Sequence, residues 1–596
     1  MLNIKMRKNY LNSIKLQESI IFVILVLLFA LKKSTITTLP FLNGKYIYWL
    51  FAIIIGTIYF VSKKSNKEYV INKFDVNLFI LFSLGLYNFN YISNATVFNI
   101  NAWYFAGYLI LYLIFRQILI DKGTIYKTLD SVYYFLALVA IVNGIMAILQ
   151  SNNLIASENE YFKSTGLFYS PNHLGLFLVL GFISIFSLLK KSPNIYSKIF
   201  LYSCQMILLF ALYLSQCRGA YLALGTVFLF YVITSTNKNK ANANWKMVLL
   251  SSIFILISFL ILNRANTNKE ESALGRIFIL KTALKQIENK KLFGNGFDSF
   301  SLEYNLAKSK YFEKERSWNE TKNASYIYNA SNDFLELTFN LGIIWILFFI
   351  FFIIKVFCLF RNSYEKRFIC SIILCLIIFA LTNTVLPIPL FIIIGCFFSV
   401  CLINLSEIRP YYILQNNSFF RIISVTIASL FVVIIFLRIN AEYKLFQLYN
   451  GITKFSNSKV IAGYASKIDA KGEANFMAGI ILLKNNNPEK GINYLVNGFK
   501  QSGKPTLGKN LAHFFERMGR YNEAEKIYIY NKNVEPFRFE ARMDLFNLYL
   551  KTNQKEKARN TAKEIYDLPI KIPSKKIESL KEKAKNYFEN EQKKAV

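Results

Sequence analysis

Residues 166–191, GLFYSPNHLGLFLVLGFISIFSLLKK, decide the fold. From 172 to 190 the stretch is almost wholly apolar, and about 20 such residues in a helix cross a ~30 Å hydrocarbon core. Pro171 suits the first helical turn, where its missing N–H is one of the donors left unpaired in any case. Lys190 and Lys191 close the run, as basic residues do on the cytoplasmic side of membrane spans.

Outward from this stretch, similar runs recur along the first three quarters of the chain. Candidate spans fall at 17–31, 46–62, 75–91, 102–120, 128–150, 172–190, 198–215, 219–235, 246–263, 333–358, 367–385, 387–405 and 419–437. The composition agrees, with 54% hydrophobic, 16% aromatic and 18% charged residues. An ordinary globular protein has roughly 25% charged residues. The expected fold is all-α: a polytopic membrane helix bundle of about 12–13 transmembrane helices with a C-terminal α-helical repeat domain. Residues 1–439 form the membrane domain, 264–332 a long outward loop and 440–596 the soluble domain. The first run lacks a small-residue cleavage site, so it reads as a retained helix and not a signal peptide. The first span is short, and Thr382 to Pro389 also fits a re-entrant turn, which leaves the count open by one.

The loop charges orient the bundle. With the N-terminus in the cytoplasm, it and the connections on the same face carry 22 lysines and arginines. The short connections opposite carry 5, namely Lys32, Lys33, Lys45, Lys163 and Arg218. This positive-inside asymmetry turns the long loop outward and, with thirteen spans, the C-terminal domain too. The net charge of +34 is then largely a matter of topology. Lipid headgroups and phosphate-bearing substrates are the expected partners, and no nucleic-acid motif is visible. All seven cysteines lie in or beside apolar runs, which argues against a disulfide framework or a zinc site.

The tail reads as helical hairpins. LGKNLAHFFERMGRYNEAEKIYIYNKNVEP (507–536) and FEARMDLFNLYLKTNQKEKARNTAKEIYDLP (539–569) share a pattern, and 474–503 is a weaker copy. The period is close to the ~34 residues of the tetratricopeptide repeat. Such units stack to bury their apolar faces. Their usual use is a concave surface for a protein partner; a stabilising cap with no partner is the alternative.

Polar residues on the outward face are the candidates for chemistry. Arg218, in SQCRGAYLALG, lies a few residues from two apolar spans, where a cation needs an anion or a path to the interface. Arg276 precedes an expected amphipathic helix at 277–290, and guanidinium groups match phosphate oxygens two at a time. FGNGFDSF (293–300) is a glycine turn of the kind that ends helices. At the re-entry, YNASNDFLELTF, Ser331, Asn332, Asp333 and Glu336 cluster. Asp333 and Glu336 share a helix face, and capping by Ser331, Asn332 or Asp333 explains the same residues. Asn172 and His173 form a further outward patch, in which His173 fits a cap or interface residue as readily as a functional one. No P-loop, HExxH, GxSxG or paired-aspartate metal motif appears.

In order along the chain, GLFYSPNHLGLFL, SQCRGAYLAL, GRIFILKTALKQIENKKLFGNGFDSF and NASNDFLELTFNLGIIWILFF resemble the O-antigen ligase and O-antigen polymerase superfamily of bacterial membrane glycosyltransferases. The resemblance covers roughly residues 20–437, and a repeat tail also occurs in some members. It implies an undecaprenyl-diphosphate-linked glycan donor and a lipid A-core, polysaccharide or protein hydroxyl acceptor. It also implies work at the outer face of the inner membrane without a metal or other cofactor. By motif, Arg218 and Arg276 match the family's two diphosphate-binding arginines. The family usually carries a histidine just before the Asn-Asp pair, and here Ser331 stands there. That leaves Asp333 or Glu336 as base, or a late deprotonation needing little help. It also loosens a strict lipid A-core ligase reading toward polymerase or protein glycosylation. A lipid or solute transporter and an inactive assembly scaffold are the readings from other classes. A transporter would line its bundle with more charge; a scaffold would tolerate loss of either arginine.

Overall fold

The computed structural model describes residues 54, 69–92, 100–157, 159, 161–235, 268–288, 292–360, 363–406, 408–414, 418–452, 457–468 and 472–595. The expected spans at 17–31, 46–62 (Ile54 apart) and 246–263 lie outside the described residues. The rest is helical. The membrane part comprises α1 (Lys73–Tyr87), α2 (Ile100–Ile118), α3 (Lys122–Ser151), α4 (Pro171–Lys191), α5 (Ile195–Ser215) and α6 (Arg218–Ser235). The outward loop holds α7 (Asn268–Ile287), α8 (Phe300–Tyr311) and the short α9 (Trp318–Thr321). The chain re-enters the bundle through α10 (Asp333–Phe357), α11 (Tyr364–Thr382), α12 (Pro389–Asn404) and α13 (Ser418–Tyr449). Among the described residues, α3, α4, α5 and α10 are long and apolar enough to cross a membrane. One apolar core joins α2 to α6 with α11 and α12.

Strands β1 (Tyr69–Ile71) and β2 (Tyr412–Leu414) pair antiparallel, with Tyr69 opposite Leu414. Beside them Asn72 caps α1: its Oδ1 accepts from Phe74 N, while Asp75 Oδ2 accepts from Asn72 N at 2.8 Å. Arg116, one of the 22 basic residues assigned above to the loops of that face, lies instead in the last turn of α2 and pairs with the fully buried Asp75 at 3.1 Å, with Tyr112 Oη donating to the same carboxylate. A buried charge is retained only when so compensated.

Two expected boundaries shift. The helix after Arg276 was expected at 277–290, but α7 already begins at Asn268, so Arg276 sits mid-helix and not at an N-terminus. Glu270 and Glu271 near its start favour the earlier beginning. The span 333–358 is not one continuous helix, because it breaks at Gly342, whose φ of 86° and ψ of 175° suit glycine. The turn FGNGFDSF docks on that break. Asn295 N and Gly296 N donate to the Phe339 and Asn340 carbonyls at 2.9 and 3.0 Å, and Asn88 Nδ2 donates to Phe293 O and Asn340 O. The glycine turn therefore satisfies the backbone of a broken helix, which unpaired would be costly inside a bilayer.

The helix α13 continues past residue 439 to Tyr449. Beyond α14 (Ser458–Ser466), hairpins α15 (Glu473–Lys484) with α16 (Pro488–Ser502), α17 (Pro505–Arg517) with α18 (Tyr521–Val534), and α19 (Phe539–Lys551) with α20 (Lys555–Asp567) stack, followed by α21 (Lys575–Ala595). The first helix of each hairpin ends in a left-handed residue. These are Asn486, Gly519 and Asn553, which are 33 and 34 positions apart. The loop rests on this stack. α8 packs against α16 and α18, Tyr326 Oη donates to Ser502 O at 3.1 Å, and Lys571 Nζ donates to Lys322 O at 2.6 Å.

Candidate active site

The connection between α11 and α12 gathers the outward polar residues. The helix α11 stops at Thr382 because Asn383 is extended (φ −151°, ψ −173°), and Pro389 restarts the chain as the first residue of α12. This leaves backbone groups at 381–386 open to side chains from α4, α7 and the start of α10. Arg276 donates to Thr382 O (2.9 Å) and to Asn383 Oδ1 (3.2 Å). Asn332 Nδ2 donates to Leu381 O at 2.9 Å. Asp333 Oδ2 accepts from Val385 N (2.6 Å) and Leu386 N (3.0 Å). His173 Nε2 lies 3.0 Å from Thr384 O. A carbonyl can only accept, so Nε2 carries the proton there.

Arg218 arrives from a different direction. Gln216, left-handed at φ 50°, ends α5, and Arg218 is the first residue of α6. A cation at a helix N-terminus sits beside unpaired N–H groups, so both features there attract an anion. Its Nε is buried without a hydrogen-bond partner among the described residues. Gly219 beside it packs so closely on the α11–α12 connection that an added Cβ would lie 2.5 Å from Asn383 Nδ2. Cys217 Sγ reaches toward Asn172 O at 3.8 Å, which ties α4 to the same corner.

The two arginines are neighbours. Surrounding protein pulls the pKa of Arg276 below the usual guanidinium range although the side chain keeps a solvent-facing side; the Arg218 charge adds to the pull and Cys217 opposes it. Among the described residues, neither guanidinium forms an ion pair with a carboxylate. The nearby acids are engaged elsewhere: Asp333 as above, and Glu336 Oε2 with Ala330 N at 2.9 Å. Two cations close together attract an anion electrostatically.

The remaining expected residues fall into supporting positions. Asn332 caps α10, its Oδ1 accepting from Leu335 N at 3.0 Å, so the capping alternative holds for it. Ser331 is the strained residue before it, left-handed at φ 53°. Ser170 caps α4, accepting from Asn172 N. Glu336 is half-buried, whereas Asp333 is buried. The sequence reading missed Asn383 and the 381–386 backbone as the meeting point. Their signal was the polar triplet Thr-Asn-Thr between two apolar runs, noted there only as a re-entrant turn.

The segment that supplies both arginines, the glycine turn and the first half of α10 matches a family model described as O-Antigen ligase, over residues 204–352. This stretch is therefore similar to the O-antigen ligase family. It includes Arg218, Arg276, Ser331, Asn332, Asp333 and Glu336, while Asn172, His173 and the α11–α12 connection reach the same corner from outside the match. No curated protein matches the chain. The chain is thus a multi-pass membrane protein that carries a stretch similar to the O-antigen ligase family.

Proposed function

We propose that this protein transfers a glycan from an undecaprenyl-diphosphate carrier to a hydroxyl acceptor at the periplasmic face of the bacterial inner membrane. The observation that carries the reading is the Arg218–Arg276 pair, two guanidinium groups that meet no counter-carboxylate among the described residues at the mouth of an apolar bundle. The acceptor oxygen bonds to the anomeric carbon as the bond from that carbon to the diphosphate oxygen breaks, and the electron pair stays on the diphosphate. Fixed donors aimed at that growing charge give the largest share of such catalysis. The acceptor proton passes to a carboxylate. Of the two candidates Glu336 is the better placed, because Asp333 is buried and holds two backbone N–H groups. Asn172, His173, Ser331 and Asn332 line the approach to the arginines.

Contact between the loop and the tail supports a tail on the same side of the membrane as the loop. Ligase-like transfer leads the reading; polymerase and protein O-oligosaccharyltransferase differ from it in the acceptor alone. A deletion strain complemented with wild type or with Arg218→Ala tests the proposal, using one gel stained for lipopolysaccharide and a blot for glycoproteins. Loss of the ladder down to lipid A-core indicates a ligase, and a single repeat left on the core indicates a polymerase. Loss of glycoprotein bands with an intact ladder indicates protein glycosylation. If neither changes, and capsule is also unaffected, the transferase reading fails.

A further inference from the structure

We propose that Asn383 is a positioning residue that orients Arg276 toward an anionic diphosphate without neutralising it; this rests on the two-arginine reading above. Asn383 is buried, and its amide lies between the two arginine-bearing segments. On one side Oδ1 accepts from Arg276 at 3.2 Å, and the adjacent Thr382 carbonyl accepts from the same guanidinium at 2.9 Å. On the other side Nδ2 donates to Thr382 Oγ1 at 3.1 Å and faces Gly219, next to Arg218. Both acceptors for Arg276 are therefore neutral. They fix the plane of the guanidinium and leave its charge and its remaining N–H donors for a ligand. A carboxylate in the same place would make the same hydrogen bond and cancel the charge. A bidentate Arg–carboxylate pair is a strong competitor for phosphate.

Gly219 belongs to the same device. An added Cβ would press on Asn383 Nδ2 at 2.5 Å and on Thr382 Oγ1 at 2.7 Å, so only glycine lets the start of α6 approach the amide. The separation of Arg218 from Arg276 is thus set through Asn383 and not through direct contact of the cations.

The test measures binding of inorganic pyrophosphate to the full-length protein in detergent, for wild type, Asn383→Asp, Asn383→Ala, Arg218→Ala and Arg276→Ala. Thermal midpoints without ligand serve as the folding control. Asn383→Asp keeps the side-chain shape and is expected to weaken pyrophosphate binding about 10- to 100-fold, the worth of a charge-assisted contact. Asn383→Ala, which frees Arg276 but leaves it charged, is expected to weaken it less. A purely structural role gives the reverse order, since the truncation removes more contact than the isosteric change. Wild-type affinity in Asn383→Asp, or a larger loss in Asn383→Ala, overturns the proposal. If wild type binds no pyrophosphate, or both arginine variants bind as wild type does, the two-arginine reading falls and this inference with it. Should Asn383→Asp fail to fold, Gly219→Ala displaces the amide from its other side with both arginines intact; unchanged affinity there overturns the inference equally.

Discussion

Asp333 and Glu336 stand one helical turn apart, yet their carboxylates meet different surroundings. Asp333 is buried and latches α10 to the α11–α12 connection through two backbone N–H groups, whereas Glu336 is half-buried and holds one. Removing the Asp333 carboxyl leaves two buried N–H donors without an acceptor, at a cost of about 1–3 kcal/mol. Asp333→Ala is therefore expected to lower the thermal midpoint in detergent. Glu336→Gln is expected to leave the midpoint in place and slow transfer about 10²- to 10⁴-fold, the usual worth of a general base. A fall in turnover for Asp333→Ala at an unchanged midpoint would reverse the assignment. At this scale the arginines were legible, because cations beside apolar runs are costly and so conspicuous. Asn383 was not, since an asparagine after a helix is ordinary and only the fold brings Arg276 to it.

The elements were legible where hydrophobic runs are long. Their ends and breaks were not, because those depend on partners far along the chain. The break in α10 exists because Gly342 and the turn at Gly294 interlock; a Cβ at Gly294 would lie 2.5 Å from Asn340 O, and one at Gly342 would collide with Leu292 O. Gly342→Ala adds a strained backbone to that collision and is expected to cost ~3 kcal/mol or more, read as loss of folded protein in detergent. Helix α8 holds a second feature that pattern cannot show. Lys308 is fully buried, donates to Asn305 Oδ1 at 2.8 Å and to Ser325 O, and lies over the Tyr304 ring. Burial pushes its pKa down to about 7, against an opposing pull from Glu535 in the tail. The folded pKa lies below the unfolded value of 10.5, so between the two the unfolded loop binds the extra proton. Stability of this element therefore rises as pH climbs above about 7, the opposite of a salt-bridged lysine. Protease cleavage within 300–330, referenced to an unstructured peptide, is expected to slow from about pH 7 toward about pH 10. Lys308→Met should flatten that dependence.

For the whole molecule, hydropathy and loop charge were enough to read a helical membrane bundle with a helical tail. What they could not give is where the tail rests. Its contact with the loop has no period and uses single side chains such as Tyr326 on Ser502 O and Lys504 over the Tyr328 ring at 5.3 Å. Trp318 of the loop packs with the core of the hairpins. Helix α8, gripped by α16 and α18, shares a core with Ile279 and Ala283 of α7, the helix that carries Arg276. A continuous run of packed side chains thus joins the tail to a candidate catalytic residue. A tail that only selected acceptors would be dispensable for transfer to a small soluble acceptor. The packing argues otherwise: without the hairpins α8 loses one wall, its apolar side meets water, and α7 loses the support that aims Arg276. Truncation after Ile452, which keeps all of α13, is expected to expose residues 300–330 to protease and to abolish transfer to small and large acceptors alike. Retained transfer to the small acceptor by an inserted truncation, with loss confined to large ones, would make the tail an acceptor selector and its grip on the loop incidental.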